Sequence, residues 1–234
     1  MPGVALSLLL AGAVLAPLVE GTPPGGRLNP PWRVVGLPNQ SLPLTRYTPE
    51  TVQGRDALRV EAEGSYGNLV HELGGATSPR TLRWSWRLQQ PAAAGAKLQR
   101  KDGDDVALKV CLSFDLPLAQ VPFIDRQVLR LARAKSGEAL PAATLCWVWA
   151  TGEAPGSVID NVYSRRVRVI VLRNATDPLA TWLDEQRDVA ADFRRAFGDE
   201  SAELPPLAAA IVAGDADNTG GHSVGHVQGL RFEP

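Results

Sequence analysis

Histidine and cysteine are scarce, three of one and two of the other, which leaves no clustered set of the kind a zinc domain uses. His222 and His226 stand four apart, but in a stretch that alternates like a strand, so the spacing does not present them as zinc ligands. Charge of one sign is missing as well. The 24 basic and 25 acidic side chains are well mixed and sum to -1, so the whole-chain field gathers neither nucleic acid nor anionic lipid. There is no glycine-rich phosphate loop, no dinucleotide fingerprint, no H-E-x-x-H and no internal repeat. The longest apolar run, from Val4 to Leu18, is too short for a comfortable membrane span.

What is present begins with MPGVALSLLLAGAVLAPLVEG. Residues 1–21 resemble a secretory signal peptide, although no Lys or Arg precedes the apolar run, and an uncleaved anchor is the competing reading. Cleavage after Ala16 would leave Pro17 next to the cut; cleavage after Gly21, with Val19 two positions before it, avoids this. TPPGGRLNPP, residues 22–31, has the composition of an extended linker. A single folded domain is then expected over residues 32–234, in a periplasmic or secreted protein with no membrane span after signal removal. Cys111 and Cys146 fit one disulfide of an exported protein, or two buried thiols.

Period-two alternation dominates the domain. Leu58, Val60 and Ala62 share one face of a strand, as do Leu82, Trp84, Trp86 and Leu88. Val106 to Phe114 alternates in the same way against Lys109, Cys111 and Ser113, and Leu145, Trp147 and Trp149 alternate against Cys146. RRVRVIVL, LAAAIVAG and SVGHVQGLRF complete the series. Two segments break it. Residues 121–137 have helical spacing through Ile124, Val128 and Leu131, and a second helix is predicted from Asp177, before Pro178, to Gly198. Eight or so strands with one or two inserted helices predict a mainly β fold, an antiparallel β-sandwich of jelly-roll type, with a Greek-key barrel as the alternative.

The chemistry-bearing residues each admit a plain reading beside a functional one. Trp84/Trp86 and Trp147/Trp149 place paired indoles on strand faces, as a sugar-gripping platform does, but each pair shares its face with leucines, which is the pattern of a core. Arg165, Arg166 and Arg168 match the bidentate geometry of a carboxylated or phosphorylated ligand, or line a strand opposite acidic neighbours. KDGDD, residues 101–105, reads as a polar turn. In GDADNTGG, Asp215, Asp217 and Asn218 form either an Asx-type turn or a structural Ca²⁺ site, and Asp217 is expected to pin the last hairpin. GHSVG imitates the G-x-S-x-G of a nucleophile elbow, but the short strand-like chain after Ser223 leaves no room for the required helix and triad partners. Carboxylates around Asp188 and Asp192 offer acid-base chemistry only if the fold brings them together.

WRVVGLPNQSLPLTRY, LRWSWRL, KDGDDVALKVCLSFD, LPAATLCWVW and RDVAADFRRAFGDE followed by GDADNTGG together resemble a bacterial family catalogued as domain of unknown function number 3047. The resemblance runs from Trp32 to Phe232 and implies an exported bacterial protein with no assigned activity. The acidic D-x-D-N-T before a final strand also looks like jelly-roll carbohydrate-binding modules, which is an architectural analogy. The expected function is non-catalytic binding of a glycan or another envelope component. A polysaccharide hydrolase or lyase, and a structural envelope protein that binds another protein, are the alternatives.

Overall fold

The structure is a computed structural model that describes residues 13–77, 79–136 and 139–233. It is mainly β, with two sheets facing each other and not a closed barrel. The larger sheet has seven strands in the order β1 (Arg33–Val35), β4 (Asn68–Ala76), β11 (Leu207–Ala213), β6 (Leu108–Phe114), β7 (Ala143–Trp149), β9 (Val167–Arg173) and β8 (Val158–Asp160). The smaller has five: β10 (Leu183–Asp188), β5 (Thr81–Gln90), β12 (His222–Glu233), β3 (Arg55–Glu63) and β2 (Arg46–Val52). Neighbours pair antiparallel except β7 and β9, which run parallel because the chain turns back through β8 before entering β9. The uniformly antiparallel expectation is corrected at that pair.

The alternating tryptophans meet in the middle of this sandwich. Trp84 and Trp86 of β5 face Trp147 and Trp149 of β7, each pair of ring centroids 5.7 Å apart across the two sheets. All four are at most 2% exposed. Burying indoles of this size, each roughly 150–250 Å² of surface, dominates the core, and three of the N–H groups keep partners while doing so. Trp86 donates to Glu185 at 3.0 Å, Trp147 to Asp192 at 2.7 Å and Trp149 to the Asn174 carbonyl at 3.1 Å.

The second predicted helix is shorter than its sequence signal. Helix α2 covers Val189–Phe197, capped by Asp188, whose side chain accepts the Ala191 N–H. Leu183–Asp188 pairs instead with the edge of β5, Glu185 opposite Trp84, so strand pairing overrides local helix propensity there. Asp177 accepts the Asn174 N–H in a turn, and Trp182 does not belong to the helix. Helix α1, Phe123–Ser136, forms as the spacing predicts.

Residues 13–31, expected to divide between a leader and a free linker, are packed against the domain. Leu18 and Val19 are each 1% exposed. The Ala16 N–H donates to His71 Nε2 at 3.2 Å, and the Trp32 indole donates to the Ala16 carbonyl at 2.9 Å. Asn29 reaches back to the Pro17 and Glu20 carbonyls. The apolar residues after Ala13 therefore complete the edge of the core, a role that local composition shares with a leader.

Candidate functional site

On the outer face of the seven-stranded sheet, register brings one outward residue from each of five adjacent strands into a continuous row. Val70 of β4 lies opposite Ile211 of β11, Ile211 opposite Cys111 of β6, Cys111 opposite Cys146 of β7, and Cys146 beside Val169 of β9. The two cysteines are joined in a disulfide, so of the two sequence readings the bonded one holds. This row lines an open trough of about 1480 Å³, at which Val70 and Ile211 are partly exposed while Cys111, Cys146 and Val169 are buried beneath it, and which is walled on one side by Val128, Leu129 and Ala132 of α1.

The rows on either side of the floor mix valine and alanine with a few polar side chains. Toward one end Ser113 Oγ and Thr144 Oγ1 share a hydrogen bond of 2.9 Å. Toward the other stands Lys109, whose ammonium pairs with Asp215 and lies 5.8 Å from the centre of the Tyr66 ring. Two acidic stretches meet there because Ala213, at the end of β11, lies opposite Lys109, near the start of β6. Asp105, buried, accepts the backbone N–H groups of Asn218 at 3.0 Å and Thr219 at 2.8 Å as well as the Thr219 hydroxyl. Asp215 accepts the Val106 N–H at 2.8 Å. Asp104 accepts from Asn161 at 2.5 Å, and the Tyr163 hydroxyl donates toward Asn218 Oδ1 at 2.6 Å.

Electrostatically this end is divided. Burial opposes the charge on Lys109, yet Asp215 holds it protonated, above the usual lysine range. Burial, with the negative charges of Asp215 and Asp105 added, pushes Asp104 up to about 6 against the pull of Lys109 and Asn161. The same causes push Asp217 up to about 6, and its Oδ1 is buried with no hydrogen-bond partner among the described residues. The trough therefore joins an aliphatic and disulfide floor to an end with two carboxyl groups short of compensation.

The residues singled out in the sequence distribute unevenly around this site. Trp84, Trp86, Trp147 and Trp149 lie on the inner faces, sealed from the trough, so none presents a ring to solvent and the core reading describes them. Arg166 and Arg168 are buried and already committed. Both bind Glu200, Arg166 also reaches Asp125 at 3.3 Å and the Ala142 carbonyl at 3.2 Å, and Arg168 binds Asp199 at 2.6 Å and lies over the Phe197 ring at 4.4 Å. They tie the end of α2 to β9, where a cation also suits the helix carboxyl end. Arg165 is the exposed member, at the trough rim, 3.1 Å from Asp160.

Asp215, Asp217 and Asn218 do reach the trough end, but as members of the hydrogen-bonded knot just described. Among the described residues no three His, Cys, Asp or Glu side chains converge as a metal-ion ligand set. Asp217 does not pin the hairpin as its position suggested, since the donors of Asn218 and Thr219 point to Asp105. Asp188 and Asp192 are structural, one capping α2 and the other accepting from Trp147 and Arg187. Ser223 is fully buried in β12 with no room for an elbow; the last glycine of GHSVG, Gly225, is needed because a Cβ there would sit 2.4 Å from Leu108 Cδ1. His222 and His226 lie in the other sheet, each 3.0 Å from a glutamate, Glu61 and Glu50.

Residues 30–231 match the family model described as "Protein of unknown function (DUF3047)". The chain belongs to that family. A search of curated proteins finds no match. The DUF3047 match takes in the whole trough floor and the acidic end, whereas the docked segment from Ala13 to Asn29 precedes it. Lys109, Tyr66 and Tyr163 are site residues that the sequence reading did not select, and Asp104 was read there as part of a polar turn. The signal that would have found them is the position of both acidic stretches at strand ends, which matters only once β6 and β11 are known to be neighbours.

Proposed function

We propose that this protein is an exported, non-catalytic binding protein of the bacterial envelope, which holds a glycan-bearing or other amphipathic envelope component in the trough. One observation carries the reading: an apolar row crossing five adjacent strands ends at a cluster of hydrogen-bond acceptors and partly uncompensated carboxyls. Such a surface suits a ligand with an aliphatic part and a hydroxyl-rich or cationic head, because the floor takes up apolar area while carboxylates accept hydrogen bonds from the head. A jelly-roll connectivity belongs to this proposal, supported by a chain that repeatedly crosses between the two sheets. A structural Ca²⁺ at Asp215, Asp217 and Asn218 is not carried into it, because Asp215 is already neutralised by Lys109.

The test is native mass spectrometry of the protein recovered from the periplasm, followed by titration with free glycans and with glycolipids. Retention of a glycolipid without product, lost in Ile211→Glu, is the expected result. A second reading has its own observation: Asp104 and Asp217 both titrate near 6 at one end of the site, where a general acid and base of a hydrolase or lyase would be poised. Product formation abolished by Asp104→Asn would replace the binding reading with that one. Silence toward every ligand, with capture of a partner protein, would favour a structural role.

A further inference from the structure

The stripe that the sequence places on α1 faces the wrong way for a core. Of its fourteen residues only Leu129 is buried, whereas Ile124 is 76%, Val128 62% and Leu131 56% exposed. These three recur at i, i+4 and i+7, so they form one face of the helix, and Phe123, 66% exposed, lies off that face beneath the Arg126 guanidinium. A contiguous outward apolar face on a helix marks a contact surface.

The charge around that face says what it meets. Helix α1 carries Arg126, Arg130, Arg133 and Lys135 against one acid, Asp125, which turns inward to Arg166. None of the four basic groups has a carboxylate in ion-pair distance among the described residues. Arg126 and Arg133 donate to the Leu118 and Leu140 carbonyls, which orient but do not neutralise them, and Arg130 and Lys135 are exposed. The near-zero charge of the whole chain hides this local excess.

We propose that α1 is a membrane-surface helix, lying in the plane of an anionic bilayer with Ile124, Val128 and Leu131 in the headgroup and acyl boundary and the exposed Arg130 and Lys135 at lipid phosphates. An apolar face flanked by unpaired Lys and Arg is what such an interface stabilises, through buried area and through attraction to negative headgroups together. A second copy of the chain is a poorer occupant, because a twofold contact through the same face would set like charges against each other. This proposal goes beyond the trough reading and does not depend on it. It does place the trough beside the bilayer, since Val128 belongs to both surfaces.

The experiment is co-sedimentation of the full chain with vesicles of phosphatidylglycerol and phosphatidylethanolamine, against vesicles of phosphatidylcholine. Wild type is expected to bind the anionic vesicles roughly thirtyfold more tightly, the effect of two exposed basic side chains at a charged surface. The triple variant Ile124→Ser, Val128→Ser, Leu131→Ser and the double variant Arg130→Glu, Lys135→Glu should each lose that binding with an unchanged melting temperature, since all five side chains are outside the core. Residues 1–12 are common to all forms, so their contribution cancels in the comparison. Equal binding to both vesicle types, or undiminished binding by the triple variant, overturns the proposal. So does a concentration-dependent dimer that the triple variant abolishes, which would assign the face to a second copy.

Discussion

Asp105 accepts both the backbone N–H and the side-chain hydroxyl of Thr219, a residue more than a hundred positions away, and so locks the loop before β6 onto the loop before β12. Because this carboxylate is 1% exposed, its removal strands several donors at once. Asp105→Ala is expected to cost about 3 kcal/mol in urea unfolding. Asp217→Ala, whose Oδ1 holds no partner, should stay within about 0.5 kcal/mol of wild type or gain stability.

Asp217 also makes a pH prediction. Its carboxyl is pushed from 3.8 up to about 6, first by burial and then by Asp215 and Asp105, so the native state binds its proton more tightly than the unfolded chain does. Native stability from this group therefore falls as pH rises from about 4 to about 6, and the penalty is fully present above that window. Asp217→Asn should raise the melting temperature at pH 7.5 and leave it unchanged at pH 3.5; an offset independent of pH would contradict the assignment.

Leu18 and Val19 supply the third test. If they belong to the core, a chain starting at residue 22 lacks two fully buried aliphatic side chains, each worth roughly 1.5–3 kcal/mol. Thermal melts should show that chain strongly destabilised, while a chain starting at residue 13 matches the parent. Intact mass of the protein purified from cells should likewise retain Leu18 and Val19.

Denatured protein recovered without reductant should show no titratable thiol, and two after reduction, because Cys111 and Cys146 are bonded. With the two positions 35 apart in sequence, Cys111→Ser with Cys146→Ser should lower stability by at most about 4 kcal/mol on chain-entropy grounds.

The arginine run should divide in two. Arg168→Ala strips a partner from Glu200, whose side chain is 1% exposed, and is expected to cost about 3 kcal/mol. Arg165→Ala removes only an exposed pair with Asp160 and should change stability by less than about 0.5 kcal/mol in the same unfolding assay.

Strand positions were readable in the sequence wherever the residue types alternate, as at Leu82 to Leu88 and Leu145 to Trp149, because period two is a local property. Leu183–Asp188 escaped because its strand state is imposed by the edge of β5, while its composition and the Asp177-Pro178 pair favour a helix. The apolar stripe of α1 was legible but its direction was not, since periodicity gives a face and not what the face meets. The trough was almost invisible. Its floor is assembled from residues up to 141 positions apart, Val70 and Ile211, by a strand order that no local pattern encodes.

The four buried indoles have an optical consequence. Trp84 and Trp86 cross at 86° with centroids 5.4 Å apart, and each lies 5.7 Å from its counterpart on the facing sheet. Chromophores so close and so fixed couple as transition dipoles, so the far-ultraviolet circular dichroism of this protein is expected to carry an indole exciton couplet that depends on the sheet-to-sheet spacing itself. The sandwich thereby contains its own spectroscopic ruler, one that responds to separation of the two layers before either sheet has lost its backbone hydrogen bonds.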